Sequence, residues 1–299
     1  TTSDGTHGGG SEYTTGVTTS GTPGSSGAYT KFVVPAGGPY VYYYCTQHSG
    51  MGGQVITAGS NGSTNLDGTI QSVVKASPTA GFSIVKYTGN GTSNSDVTIG
   101  HGLGVTPAVV LIKKRSSGGS EAQWGMLHHK LTSGKNIFLQ TTSAEGSYTN
   151  KIKSMESTTF TLNLSDASAG RYNRSGNLYV AYVFSEVEGY SKFGSYQGNG
   201  NSNGPFIYLG FRPAMIITRR IDSGDHWIIK DNKRNTFNDV VNNLLPNSSG
   251  SEYTSSSQAV DFVSNGFKIR GSDSGINSSS GTFIYFAFAE SPFKYSRAR

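Results

Sequence analysis

The chain has 299 residues, of which only 14% are charged and 41 are glycine, and its net charge is +6. One cysteine allows no intrachain disulfide framework, and no apolar run approaches the roughly 20 residues that cross a bilayer as a helix. Lys and Arg are scattered along the chain in small clusters, a pattern that argues against a nucleic-acid partner and leaves a weak attraction for anionic surfaces such as acidic polysaccharide.

Few charges, 34% hydrophobic residues and many Gly, Ser, Thr, Asn, Tyr and Phe favour short strands joined by turns. Runs of Ala, Leu, Glu and Lys that would build long helices are missing. The expected fold is all-β. The opening TTSDGTHGGG looks like the middle of something larger, so further sequence is expected ahead of Thr1.

The next stretch, AYTKFVVPAGGPYVYYYCTQHSGMGGQVIT, reads as strands around a loop that carries Cys45, His48 and Met51. A thiolate, an imidazole and a weak thioether on one tight loop are the ligand types of a trigonal copper site. The segment resembles the C-terminal half of a cupredoxin. In that family a strand ending Tyr-x-Cys precedes the His and Met ligands, and a Gly-led strand closes the sandwich. The Cys-x-x-His-x-x-Met spacing is that of the amicyanin-type short loop. The resemblance implies copper as a cofactor, with the second histidine supplied by His7, 38 residues before Cys45, or from ahead of Thr1. Yet His7 sits in a glycine-rich stretch where the family has an apolar strand. The alternative is a cupredoxin-like sandwich that keeps Cys45, His48 and Met51 for packing and a turn. Residues 1–56 are thus expected to form a partial cupredoxin-like segment, N-terminally incomplete.

Residues 57–80 read as a connector, whose TIQSVVK is a candidate strand crossing between modules or joining a neighbouring subunit. Beyond it the chain repeats itself. Tyr87-Thr88-Gly89-Asn90-Gly91 answers to Tyr196-Gln197-Gly198-Asn199-Gly200, Pro107-Ala108 to Pro213-Ala214, Trp124 to Trp227, and LYVAYVFSE (178–186) to FIYFAFAE (283–290). A repeat of this length matches a whole β-sandwich, so two tandem, jelly-roll-like sandwiches are expected at 81–189 and 190–299. AVVLIKK and AMIITRR are continuous apolar runs, hence buried central strands. The Gly-Asn-Gly triplets supply positive φ for hairpin turns.

Catalytic constellations are scarce: there is no phosphate-cradling Gly-Lys-Ser/Thr loop, no nucleophile elbow and no dinucleotide fingerprint, and a non-enzymatic role is expected. Trp124 and Trp227, with His128, His129 and His226 nearby, are candidate sugar-stacking platforms; the alternative for both is a sandwich core. His101 is expected to bond backbone in a turn, and the recurring Glu186 and Glu290 to serve structure.

The YYYC-x-x-HSGMGG segment, the GFSIV-x-Y-x-GNG…HGLG-x-x-P module and the closing FAE-x-PF strand resemble tail-fibre or appendage proteins of marine tailed bacteriophages. The resemblance implies a virion-surface protein among other tail proteins, attaching to a host glycan or other receptor. Two further readings are a copper-binding cupredoxin-type protein and a structural capsid or tail decoration protein. Many aromatics under few charges favour a homo-oligomer, expected to be a trimer along a fibre axis.

Overall fold

A computed structural model of the chain describes residues 12–22, 24–33, 41–45, 52–55, 62–116, 123–164 and 171–292. The fold is all-β, built from antiparallel sheets. It divides into two compact units, Thr1–Thr64 and Asn65–Arg299. In the first, β1 (Val17–Ser20) pairs with β2 (Tyr29–Phe32), and β3 (Val41–Tyr44) pairs with β4 (Gly52–Val55). A short strand, β5 (Ser63–Asn65), spans the junction between the units in the chain.

The second unit begins with β6 (Ser72–Ser77), β7 (Phe82–Thr88), β8 (Ser95–Gly100), β9 (Val109–Lys114) and β10 (Gly125–His128). It continues with β11 (Ile137–Phe138), β12 (Asn150–Met155), β13 (Thr159–Leu164) and β14 (Leu178–Phe184). These form a large sheet in the order β11-β10-β9-β14-β7-β6 and a small one in the order β12-β13-β8. Alternate residues of each sheet point inward. Val85, Tyr87, Val110, Ile112, Tyr179 and Ala181 of the large sheet meet Val97, Ile99, Phe160 and Leu162 of the small one in a fully buried core.

The second repeat runs through β15 (Ser191–Gln197), β16 (Phe206–Tyr208), β17 (Pro213–Arg220), β18 (Ile228–Asp231), β19 (Asn242–Asn243) and β20 (Tyr253–Thr254). It ends with β21 (Val260–Val263), β22 (Gly266–Ile269), a short helix α1 (Ser274–Asn277) and β23 (Thr282–Ala289). Its two main sheets run β18-β17-β23-β15 and β21-β22-β16, matching β10-β9-β14-β7 and β12-β13-β8 of the first repeat, and β19 pairs with β20 in a small third sheet. The runs at 108–115 and 214–220 are central strands, flanked on both sides, as continuous apolar sequence predicts.

Two local readings need correction. The Gly-Asn-Gly segments do not close hairpins. They carry the chain from β7 to β8 and from β15 to β16, which lie in different sheets. Gly91 and Gly200 do take positive φ, 76° and 67°. Gly89 and Gly198 instead allow a close approach, because a Cβ on either would stand 2.3 Å from a backbone carbonyl oxygen. TIQSVVK, read as part of a connector, contributes β6, which pairs with β7 of its own chain in register Val74↔Val85.

The repeats pack on one another through a third core. Val109, Met126, Leu131 and Ile137 of the first meet Phe193, Ile221, Trp227, Ile284 and Phe286 of the second. Hydrogen bonds cross the same seam: the Trp227 indole donates to the Phe138 carbonyl at 3.0 Å, and the Arg219 guanidinium to that of Ser143 at 2.6 Å. At the edge of the second large sheet, side chains replace a neighbouring strand. The Phe193 N–H donates to the Glu186 carboxylate at 3.0 Å, and the His129 Nε2 donates to the Phe193 carbonyl at 2.9 Å.

Candidate functional site: an outer sheet face with aromatic and cationic rows

Pairing registers show which side chains share the outer face of the first large sheet, the face turned away from its own core. Val73 stands opposite Lys86, Lys86 opposite Val180, and Val180 opposite Lys113. Gly125 pairs with Ile112, so Trp124, one residue earlier, falls beside Lys113; the Lys113 Nζ lies 5.5 Å from the Trp124 ring centroid. Cations over an indole face are attracted by its quadrupole. One step along, Tyr182 stacks with Trp124 at 5.9 Å and with Phe82 at 6.3 Å. One step the other way, Thr88 pairs with Leu178, and the Arg115 N–H donates to the Leu178 carbonyl.

Beside these rows lies a groove of about 540 Å³, lined among others by Gln71, Lys86, Thr88, Asn90, Arg115 and Leu178. No carboxylate among the described residues lines it. Among the described residues no ion pair engages Lys75, Lys86 or Arg115. Mixed apolar walls with a few convergent polar groups are what ligand sites present.

The same register in the second repeat has another fate. Trp227 precedes β18 as Trp124 precedes β10, and Ile228 pairs with Thr218 as Gly125 pairs with Ile112. Ser195 takes the place of Lys86, Arg219 that of Lys113 and Ile221 that of Arg115. Trp227, Arg219 and Ile221 are buried against the first repeat. Arg219 also donates to the Asp225 carbonyl, and burial lowers its pKa to about 10. Trp227 is 0% exposed and offers no ring face to a sugar; Trp124 is half-buried, on the outer face.

A family model described as a domain of unknown function (DUF7483) matches residues 55–292. The chain belongs to this family. No curated protein and no solved structure matches it. The DUF7483 match takes in both sandwich repeats, so the outer face and its buried twin lie within one family domain. The Cys45 segment falls ahead of the DUF7483 match. Cys45 directly follows β3 and Gly52 leads β4, with Tyr44 opposite Gly52. His7, His48 and Met51 lie outside the described residues. Among the described residues no cluster of three or more His, Cys, Asp or Glu could hold a metal.

The remaining candidates have structural work. The His101 Nδ1 accepts from the Leu103 N–H and its Nε2 donates to the Glu156 carbonyl, and burial lowers its pKa. Glu290 pairs with Arg212 at 3.0 Å and accepts from Asn232. Sequence reading missed Lys86, Arg115 and the groove, because strand register brings them together. It also passed over a repeated clamp. The amide of buried Asn173 bonds the Asn90 N–H, the Asn90 side chain and the Thr92 carbonyl. Asn277 does the same for Asn199 and Asn201, and adds the Gly271 carbonyl. The signal was there: both asparagines stand 104 residues apart at matching repeat positions.

Proposed function

We propose that the chain is a non-enzymatic virion appendage subunit, a tail-fibre module that attaches to a host-surface glycan or other receptor. The observation that carries this reading is the divergence of one repeated position. Trp227 is sealed between the repeats, whereas Trp124 stays on an outer face beside Tyr182 and Lys113. Indole rings held flat by a neighbour suit the apolar faces of sugars. The resemblance of the YYYC-x-x-HSGMGG, GNG…HGLG and FAE-x-PF motifs to phage appendage proteins supports the proposed setting, a virion surface with other tail proteins as neighbours. A glycan array probed with the full chain tests the reading: hits that vanish in Trp124→Ala support it. An array without hits, together with no adhesion to host cells, returns the protein to a structural decoration role.

A second reading, a copper-binding cupredoxin-type protein, is favoured by the β3–β4 pairing. It makes residues 45–51 one connection between two paired strands. Copper would be held by Cys45, His48 and Met51 with His7. Titration with Cu(II), followed for a thiolate-to-copper absorption band that Cys45→Ser abolishes, tests it.

A further inference from the structure

We infer that the ligand of the outer face of the first repeat is anionic, a saccharide bearing carboxylate or sulfate groups. This rests on the attachment reading and names the class of glycan.

The cations are placed by the sheet. Lys86 on β7 and Lys113 on β9 flank β14 through Val180, so their stems rise about 10 Å apart, two inter-strand spacings. Lys75, opposite Ile84, adds a charge one strand out, and Arg115 a fourth at the end of β9. The like charges of Lys75, Lys86 and Arg115, which no ion pair engages among the described residues, repel one another, an arrangement that a bound anion relieves. A carboxylate or sulfate matches the fork of Arg115 in a paired geometry and meets the lysines as point charges. Thr88, Asn90 and Gln71, in the same groove, offer hydroxyl and amide groups for sugar hydroxyls. Trp124 and Leu178 supply the apolar contact.

The second repeat argues the point by contrast. In the second repeat the counterpart of Arg115 is Ile221, buried against the first repeat, while that of Lys86 is Ser195, which stays exposed but carries no charge. The one cation retained there, Arg219, has its charge met by the carbonyls of Ser143 and Asp225. At the two positions sealed against the first repeat, charge is thus removed (Ile221) or met by carbonyls (Arg219), whereas Lys86 and Arg115 keep theirs beside the groove.

The test is affinity of the full chain for heparin as a sulfated polysaccharide, polygalacturonate as a carboxylated one and dextran as a neutral one, at two salt concentrations. We expect binding to at least one of the two polyanions and none to dextran. The double variant Lys86→Gln/Arg115→Gln should bind about tenfold more weakly, with a shallower salt dependence. The variant Lys130→Gln/Lys233→Gln removes the same net charge elsewhere and should bind as the parent does. Equal losses in both double variants would mean diffuse charge attraction and overturn the inference. Trp124-dependent adhesion to host cells or neutral glycan, indifferent to Lys86 and Arg115, would overturn the anionic class and leave attachment standing. Loss of all glycan and cell binding would remove both.

Discussion

At the scale of single residues, the clamping asparagines and one interfacial histidine are the most exposed to test. Asn277 is fully buried and satisfies four polar groups of the β15–β16 loop and its surroundings. Truncation to alanine strands those groups away from water, and Asn277→Ala should cost about 3 kcal/mol of stability by urea unfolding. Asn173-Arg174-Ser175 and Asn277-Ser278-Ser279 fit the Asn-x-Ser/Thr acceptor pattern, but both asparagine side chains are buried and serve structure. His128 is buried at the seam between the repeats, accepts from the Lys130 N–H and donates to the Tyr285 carbonyl at 3.4 Å. Burial, with help from the neighbouring His129, lowers its pKa to about 3. The sign follows. The unfolded chain takes up this proton below about 6.5 while the folded one refuses it, so stability is complete above that range and lost as pH falls toward 3. At pH 5 the loss from this group is about 2 kcal/mol. His128→Phe should flatten the acid limb of a stability–pH profile, and an unchanged limb would count against this account.

Among the elements, the two tryptophans define opposite ends of one design. Trp227 packs with Phe286 and anchors the third core, so Trp227→Ala should cost about 3–5 kcal/mol by denaturant unfolding. Trp124 leans on Tyr182 with its other surroundings more open, and Trp124→Ala should cost about 1 kcal/mol. Comparable losses in the two variants would contradict the contrast between a sealed and an open position. The sequence showed that these tryptophans are repeat equivalents, because Tyr-x-Gly-Asn-Gly, Pro-Ala and the closing aromatic strand surround both in the same order. It did not show which was buried. That depends on how one sandwich turns its sheet against the next, a relation between faces that no linear spacing records. The central strands were legible because β-branched residues run unbroken through them. The function of Gly-Asn-Gly was mistaken, because a loop that crosses between sheets uses the same residues as a hairpin. Lys86 and Arg115 lie 29 residues apart and converge through β14, which neither touches in sequence.

For the whole molecule, the prediction is a homotrimer. Phe206 and Tyr208 alternate outward on β16, an edge strand, at 47% and 60% exposure, and Phe237 stands 83% exposed on the same repeat. Apolar surface of this kind marks interfaces, and cyclic symmetry covers the same patch on every copy. Mass photometry or sedimentation of the intact chain at micromolar concentration should report three copies. Tyr208→Lys should shift the population toward monomer, and a monodisperse parent monomer would refute the assembly. Several weak glycan sites held together would also gain avidity. The capped edge of β15 has a consequence for how such a chain can be divided. Glu186 and His129 belong to the first repeat, yet they occupy the backbone groups of Phe193 in the second. Two modules that look interchangeable in sequence are thus asymmetric: the second borrows its guard from the first. Cut at residue 190, it would present an unguarded strand to any other copy, an invitation to edge-to-edge pairing. A fragment of 190–299 should therefore build up in fibrillar or higher-order species that bind thioflavin T, while a chain beginning at 65 stays clear of them. Where a duplicated sandwich has surrendered this independence, shuffling its halves is no longer free of penalty, and the pair is inherited as one piece.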